Sequence, residues 1–268
     1  MLLRALGAAT AATLVVALAP TAAHAATPTY KVSISTSKAS ADVGQTVRVS
    51  GKVSGPRAAK KALLVQRRIG SGAWKTVSKV RTTTKRAYAT NVKVATAGKQ
   101  QLRVVAPKSK KVKKGVSTAR NLTGWRWIDA TTNAAIEGLT RQTATIQGRK
   151  YTGLAAAPDE NGIMFVQVDG TCDALNYSVG VEGKVDSYAG LVLAQFADEA
   201  LSTPLAYVEK ALTGGTAPFS GSWPLRTDSG FIYVALSSNS VDTERAVLVA
   251  PRLHCSVNRL AKTVLPPG

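Results

Sequence analysis

The chain is short of acid where it is richest in base. Between residues 26 and 120 there is one acidic residue, Asp42, against 23 Lys and Arg. From residue 121 to the end the balance is 14 acidic against 11 basic. The net charge of +20 therefore belongs to the first half alone. Such a split marks two separately built modules, of which the basic one attracts anionic polymers.

Histidine is nearly absent too, with His24 and His254 the only two. Nucleophilic catalysis by a Ser-His-Asp or Cys-His arrangement would have to run on His254, which sits beside Cys255 in an apolar terminal strand where a structural role is expected. There is no G-x-S-x-G elbow, H-E-x-x-H pair or phosphate-binding loop. Carboxylate pairs such as Asp198-Glu199 imply no cleft of the kind glycoside hydrolysis needs. No catalytic residue is named, and the expectation is a protein that is not an enzyme, with a glycoside hydrolase as the remaining alternative.

Long apolar runs are confined to the beginning. Met1 to Arg4 give a short basic start, residues 5–19 are rich in Ala, Leu and Val, and Ala23-His24-Ala25 supplies the small-x-small pattern of a cleavage site. Residues 1–25 read as a secretory signal peptide, since the run falls short of the roughly 20 residues a membrane-spanning helix requires. No later segment is apolar enough to cross a membrane, and no wall-sorting signal or lipid-anchor cysteine is expected. The protein is read as secreted, released or held at the cell wall by non-covalent contacts. Only two cysteines, Cys172 and Cys255, remain to be placed. In an oxidising exterior an even pair points to one disulfide closing a loop of 83 residues, about 4 to 5 kcal/mol in the chain-entropy account. A two-cysteine metal site has neither the spacing nor nearby His ligands.

What the first half does contain is alternation. Residues 46–53, 74–80 and 91–95 alternate apolar and polar side chains with period two, and 62–67 reads as a more buried strand. Glycines at 44, 51, 55, 70, 72 and 98 punctuate them at the spacing of an all-β sandwich. This places a basic domain at 26–106. Arg48, Lys52, Lys75, Lys79, Lys93 and Arg103 fall in the polar phase of these strands and should stand outward. A Lys-rich stretch at 107–120, with Lys110, Lys111, Lys113 and Lys114, reads as an extended linker that prolongs the basic surface. These ten cations are the candidate contacts for an anionic surface such as wall polymer, acidic polysaccharide or lipid. Nucleic acid fits the charge but not the export signal, and no nucleic-acid motif is present.

The pieces "DVGQTVRVSGKV", "LLVQRRIGSGAWKTV" and "ATAGKQQLRVV" resemble the bacterial immunoglobulin-like or fibronectin-like repeats of secreted and surface proteins. That resemblance makes Trp74 the expected core tryptophan of the sandwich.

From residue 121 acids and aromatics appear and strands lengthen. Candidates are 144–148, 162–170, 175–182, 189–197, 205–212, 231–237 and 245–255, separated by turns at 158–162 and 213–216, which suggests one antiparallel sandwich or jelly roll. The order "GWRWIDAT", "ATIQGRKYTGLAA", "FVQVDGTCDALNYSVGVEG", "AGLVLAQFADEALS", "FIYVALSS" and "VLVAPRLHC" looks like the NPCBM family, a carbohydrate-binding module found beside glycoside hydrolase domains. The resemblance covers 121–262 and implies a galactose-binding-like β-sandwich. In it Cys172 and Cys255 occupy the family's two cysteine places, Val179-Gly180-Val181 the strand that follows the first, and Phe196-Ala-Asp198 a later strand in which Glu199 stands where Gly is usual. The fold expected for the whole is all-β: two β-sandwich domains, immunoglobulin-like and then galactose-binding-like.

A sugar site needs aromatic faces for pyranose C–H groups with polar groups nearby. Among Trp125, Trp127, Tyr151, Tyr177, Tyr188 and Trp223, the three tryptophans are the expected contacts. Trp125 and Trp127 share a strand face, and Trp223 lies in a Ser/Gly/Pro-rich stretch. Asp169, Asp173 and Asp159-Glu160 could bind calcium through hard oxygen ligands, but no dense Asp/Asn loop is present and a solvated turn is expected. No cofactor is expected. The functional expectation is a non-catalytic binding protein of bacterial type for a polysaccharide or cell-envelope polymer. The alternative is a structural surface protein that contacts other proteins.

Overall fold

The computed structural model describes residues 27–157, 160–184, 187–238 and 245–265. The signal peptide expected at 1–25, and Asp159 of the possible calcium turn, lie outside the described residues. Within them the chain is all-β, with no helix and no closed barrel. Two large hydrophobic cores form, one from residues 30–122 and one from 130–260, beside a small third cluster of Ala144, Ala155 and Val247.

The first core lies between two sheets. One is built on β4 (Thr46–Ser54), flanked by β1 (Lys31–Val32), β2 (Ser35–Thr36) and β7 (Ala87–Lys93). The other runs through β6 (Lys75–Arg81), β5 (Ala62–Ile69) and β8 (Gly98–Ala106), with β9 (Gly115–Val116) and β3 (Ser40–Asp42) at its margins. The alternation of β4 decides its orientation: Val47, Val49 and Val53 are buried, while Arg48 and Lys52 are exposed. Across the core stand Leu63, Val65, Leu102 and Val104, all fully buried. A buried side chain of this size contributes about 1.5–3 kcal/mol, and no covalent link supplements the packing here.

Residues 107–120 are not an extended linker. Val112 is buried, Lys113 N–H donates to Pro28 O at 2.8 Å, and β9 pairs with β8 through Val105 opposite Val116. Gly115 makes the return possible, because a Cβ there would lie 2.0 Å from the Tyr30 carbonyl oxygen. Lysines 110, 111, 113 and 114 are exposed as expected. Among them Val112 is the apolar anchor that gives the backbone somewhere to dock, and the β8–β9 backbone pairing holds the return against charge repulsion.

The next strand, β10 (Arg120–Asp129), joins the two halves. Its first residues pair with β8 (Arg120 opposite Leu102) and, in parallel, with β3 (Trp125 opposite Asp42). Its last four pair with β20 (Arg245–Cys255), from Arg126 opposite Cys255 to Asp129 opposite Arg252. One backbone thus serves as sheet strand to both cores. Gly124, at the crossing, has no room for a side chain: a Cβ would meet Thr96 O at 2.2 Å.

Beyond it come β11 (Ala135–Glu137), the hairpin of β12 (Leu139–Ile146) and β13 (Arg149–Ala156), β14 (Asn161–Gln167) and β15 (Cys172–Glu182). Then follow β16 (Tyr188–Phe196), β17 (Ala206–Thr213), β18 (Phe219–Pro224) and β19 (Phe231–Ser238). The expected strand at 144–148 runs past its end, because Gln147 and Gly148 form the hairpin turn with φ of 48° and 74°. The sheet β11-β14-β19-β16-β17 packs on the one containing β12, β13, β20, β15 and β18. In β19 the alternation is complete, with Ile232, Val234 and Leu236 buried. Cys172 and Cys255 are bonded directly across β15 and β20.

Candidate functional site

The tryptophans expected to bind sugar part company. Trp223, on β18, is 8% exposed and belongs to the second core, so it is not a surface contact. The Ser/Gly/Pro-rich context suggested a loop, but the segment pairs with β15 through Leu175 opposite Trp223. Trp125 and Trp127 are half-buried on β10, and both rings meet His254, at centroid distances of 5.2 and 4.8 Å.

His254 is the centre of this joint. Its Nδ1 lies 2.6 Å from Asp173 Oδ1 and its Nε2 2.9 Å from Asp42 Oδ1. Local structure aims both acids. Asp42 sits opposite Trp125 in the β3–β10 ladder. Asp173 is the extra residue of a bulge between the Cys172–Cys255 and Ala174–His254 pairs, and a bulge re-aims the side chain it carries. Both ring nitrogens donate only in the imidazolium form. Burial opposes that charge, but the hydrogen bonds and charges of Asp42 and Asp173 outweigh it and raise the His254 pKa above its ordinary value. A second tie lies close by, where Ala97 N–H and Thr96 Oγ1 both reach Asn258 Oδ1, at 3.2 and 3.0 Å. The one acid of the basic half is thus joined to the second half.

The candidate cations divide between sheets. Arg48 and Lys52 on β4 and Lys93 on β7 are exposed on one sheet, whereas Lys75 and Lys79 on β6 and Arg103 on β8 belong to the other. Among the described residues, no Lys or Arg between 27 and 120 takes part in a salt bridge.

Arg103 differs from the exposed lysines. Its guanidinium lies 4.1 Å from the centroid of Trp74, and that of Arg68 lies 4.9 Å from the same ring. Trp74 is therefore not the core tryptophan; it is half-buried and lies with the two arginines, outside the first core. Arg103 Nε donates to Gln66 Oε1 at 2.9 Å, Arg68 Nη2 donates to Gln101 Oε1, and Gln101 Nε2 donates to Asn121 Oδ1 at 3.0 Å. Burial, and then the charge of Arg68, push the Arg103 pKa below its ordinary value. Beside this ladder opens a cleft of about 460 Å³ lined by Arg68, Gly70, Lys99, Gln101, Asn121 and Thr123. The sequence reading missed Arg68, Lys99, Gln101 and Asn121. The polar phase that found Arg103 also contains Gln101, an uncharged position, and Arg68, which lies one residue past the stretch read as a strand at 62–67.

Of the carboxylates considered for calcium, Asp169 accepts from Gln167 Nε2 at 3.0 Å and Asp173 is bound to His254. Among the described residues no group of three or more acidic, His or Cys side chains is arranged to hold a metal ion.

No family model matches the chain, and no curated protein matches it. Among solved structures, the enzymatically active domain of bacteriophage CBA120 tailspike protein 4 is similar over 48% of this chain, at 9% identity and a TM-score of 0.30. The chain spans 19% of that protein's length. A likeness this low carries neither fold nor function across. No family model supports the resemblance of residues 121–262 to NPCBM modules.

Proposed function

We propose that this is an exported, non-catalytic binding protein whose first sandwich holds an anionic polymer, an acidic polysaccharide or a charged polymer of the cell envelope. The observation that carries this is the unopposed charge: 23 cations between residues 26 and 120, with their one acid, Asp42, bound to His254. A face kept basic only for solubility would mix signs, because unscreened like charges destabilise the folded state. The Cys172–Cys255 disulfide fits export, as does the leader sequence. No helix of the described residues is long and apolar enough to cross a membrane.

The second sandwich we read as a galactose-binding-like module for a neutral or amino sugar, on the resemblance to NPCBM. Trp125 and Trp127 remain its candidate stacking surface, since both are partly exposed. The competing reading, a structural surface protein, gains from the same two rings, which already pack on His254 as part of a joint. Asp42 and Asp173 each give an oxygen to the imidazole, an arrangement unlike two carboxyls facing across an open cleft.

The test is binding of the full chain to insoluble wall and polysaccharide preparations in a salt series. Cutting the chain at 120 would divide β10 from one of its sheets, so intact protein is required. Affinity for anionic polymers should fall about tenfold or more as the Debye length shrinks from about 30 to 8 Å. Binding unchanged over that range overturns the electrostatic reading. Retention on neutral polysaccharide at high salt, lost in Trp125→Ala and Trp127→Ala, would support the sugar site.

A further inference from the structure

We propose that Arg68, Trp74 and Arg103, with the adjoining cleft, form one discrete site for an oxyanion carried on a saccharide. This rests on the anionic-polymer reading and deepens it by naming where the recognition lies. Most cations of the first sandwich are exposed, and exposed lysines attract an anion without fixing its position. Arg68 and Arg103 are different: both are partly buried, both lie against Trp74, and neither has a carboxylate partner among the described residues. Two neighbouring guanidiniums with no acid repel each other, a local cost that an arriving anion would remove. Arg68 Nε is also buried without a hydrogen-bond partner among the described residues, an unsatisfied donor on the cleft-lining side chain.

The surroundings pre-organise the pair. Gln66 and Gln101 each accept one guanidinium N–H through the side-chain amide oxygen, which orients the forks without neutralising them. The planar fork of arginine matches the two oxygens of a carboxylate or the paired oxygens of a phosphate or sulfate. The cleft then offers Lys99 for charge, with Gln101, Asn121 and Thr123 for sugar hydroxyls. It lies between β5, β8 and β10, on rigid strands rather than on a loop. Cations at one wall and neutral hydrogen-bonding groups beside them suit an acidic sugar unit better than a bare inorganic ion or an extended lipid surface.

The experiment uses the full chain with three probes of matched length: an oligogalacturonate, its methyl ester, and a sulfated dextran oligomer. Calorimetry should show a single saturable site for an anionic probe and at least about tenfold weaker binding of the neutral ester. Carboxylate over sulfate, or the reverse, identifies the oxyanion, and either supports the site. The deciding variant is Arg68→Lys with Arg103→Lys, which keeps the net charge but removes both forks. It should weaken binding about tenfold or more. Arg48→Gln, Lys52→Gln and Lys93→Gln together, on the other sheet, remove three charges and should cost about threefold or less. Asn121→Ala, at an exposed position, probes the cleft independently should the double variant fold poorly, and is expected to weaken the saccharide several-fold without affecting inorganic phosphate. Lysine replacements that bind like the parent, or losses that follow only the number of charges removed, would overturn the discrete site and leave the diffuse basic surface intact. Failure of the parent chain to bind any anionic polymer at low salt would sink the anionic-polymer reading itself.

Discussion

The two sandwiches solve the same folding problem with different means. The second has a disulfide across β15 and β20 and a partly buried Arg245–Glu182 pair at 2.9 Å, and its surface charges have mixed signs. The first has no cysteine, no ion pair of its own among the described residues, and 22 more basic than acidic groups between residues 26 and 120. It holds together by apolar packing against its own electrostatic repulsion. It also leans on its neighbour, through β10 and through the Asp42–His254 contact. The difference teaches that the charge is not incidental to a stable scaffold: the first sandwich carries it at a cost, and the second supplies part of what offsets that cost.

That comparison is broken most severely by removing the disulfide. Cys172→Ala with Cys255→Ala should lower stability by about 4 kcal/mol, with the loss centred on the second core. Calorimetry and hydrogen exchange would show it, and equal loss of protection in both cores would mean that they unfold as one unit. The tryptophans come next. Trp223→Ala opens a cavity in the second core and should cost about 3–5 kcal/mol, while Trp74→Ala, outside the first core, should cost about 1 kcal/mol but weaken oxyanion binding. Denaturant titration of the pair separates a packing tryptophan from a ligand-facing one.

A smaller effect is expected at the joint. His254→Gln should cost about 1–2 kcal/mol below pH 6, since hydrogen bonds to a charged group are lost at a partly exposed site. The sign of the pH dependence follows from the raised pKa. The imidazolium's contribution is fully present below about pH 6.5, its ordinary value, and is lost as pH rises through the raised folded value. The parent's melting temperature should therefore fall more than that of the variant as pH rises above about 6.5. An identical slope in both would show that the contact does not bind a proton on folding. Smallest of all, moderate salt should raise the stability of the first core by screening its repulsion and leave the second nearly unchanged.

Much of the strand map was legible because a sheet with one buried face writes its period into the chain. The stretch expected at 245–255 is β20, and 46–53 is β4 short by one residue. Burial was legible for Val47 and Val49 and exposure for Arg48, because one residue of shift exchanges the two faces. The same logic failed for tryptophan. A large amphipathic ring suits a core or a ligand, and its neighbours in sequence misplaced both Trp74 and Trp223. The joint had one signal in the sequence: a single acid among so many bases is an anomaly, and Asp42 meets His254 across 212 positions of sequence.

Sequence alone determined the all-β class, the confinement of positive charge to the first half and the two-cysteine inventory, since each is a property of composition or of neighbours two residues apart. Only the tertiary structure decided that β10 is shared, that residues 107–120 fold back, that Asp42 and Asp173 converge on His254, and that Arg68 and Arg103 meet over Trp74. Those outcomes rest on which strands pair at long range, and pairing is set by the burial of whole faces rather than by any residue's own preference.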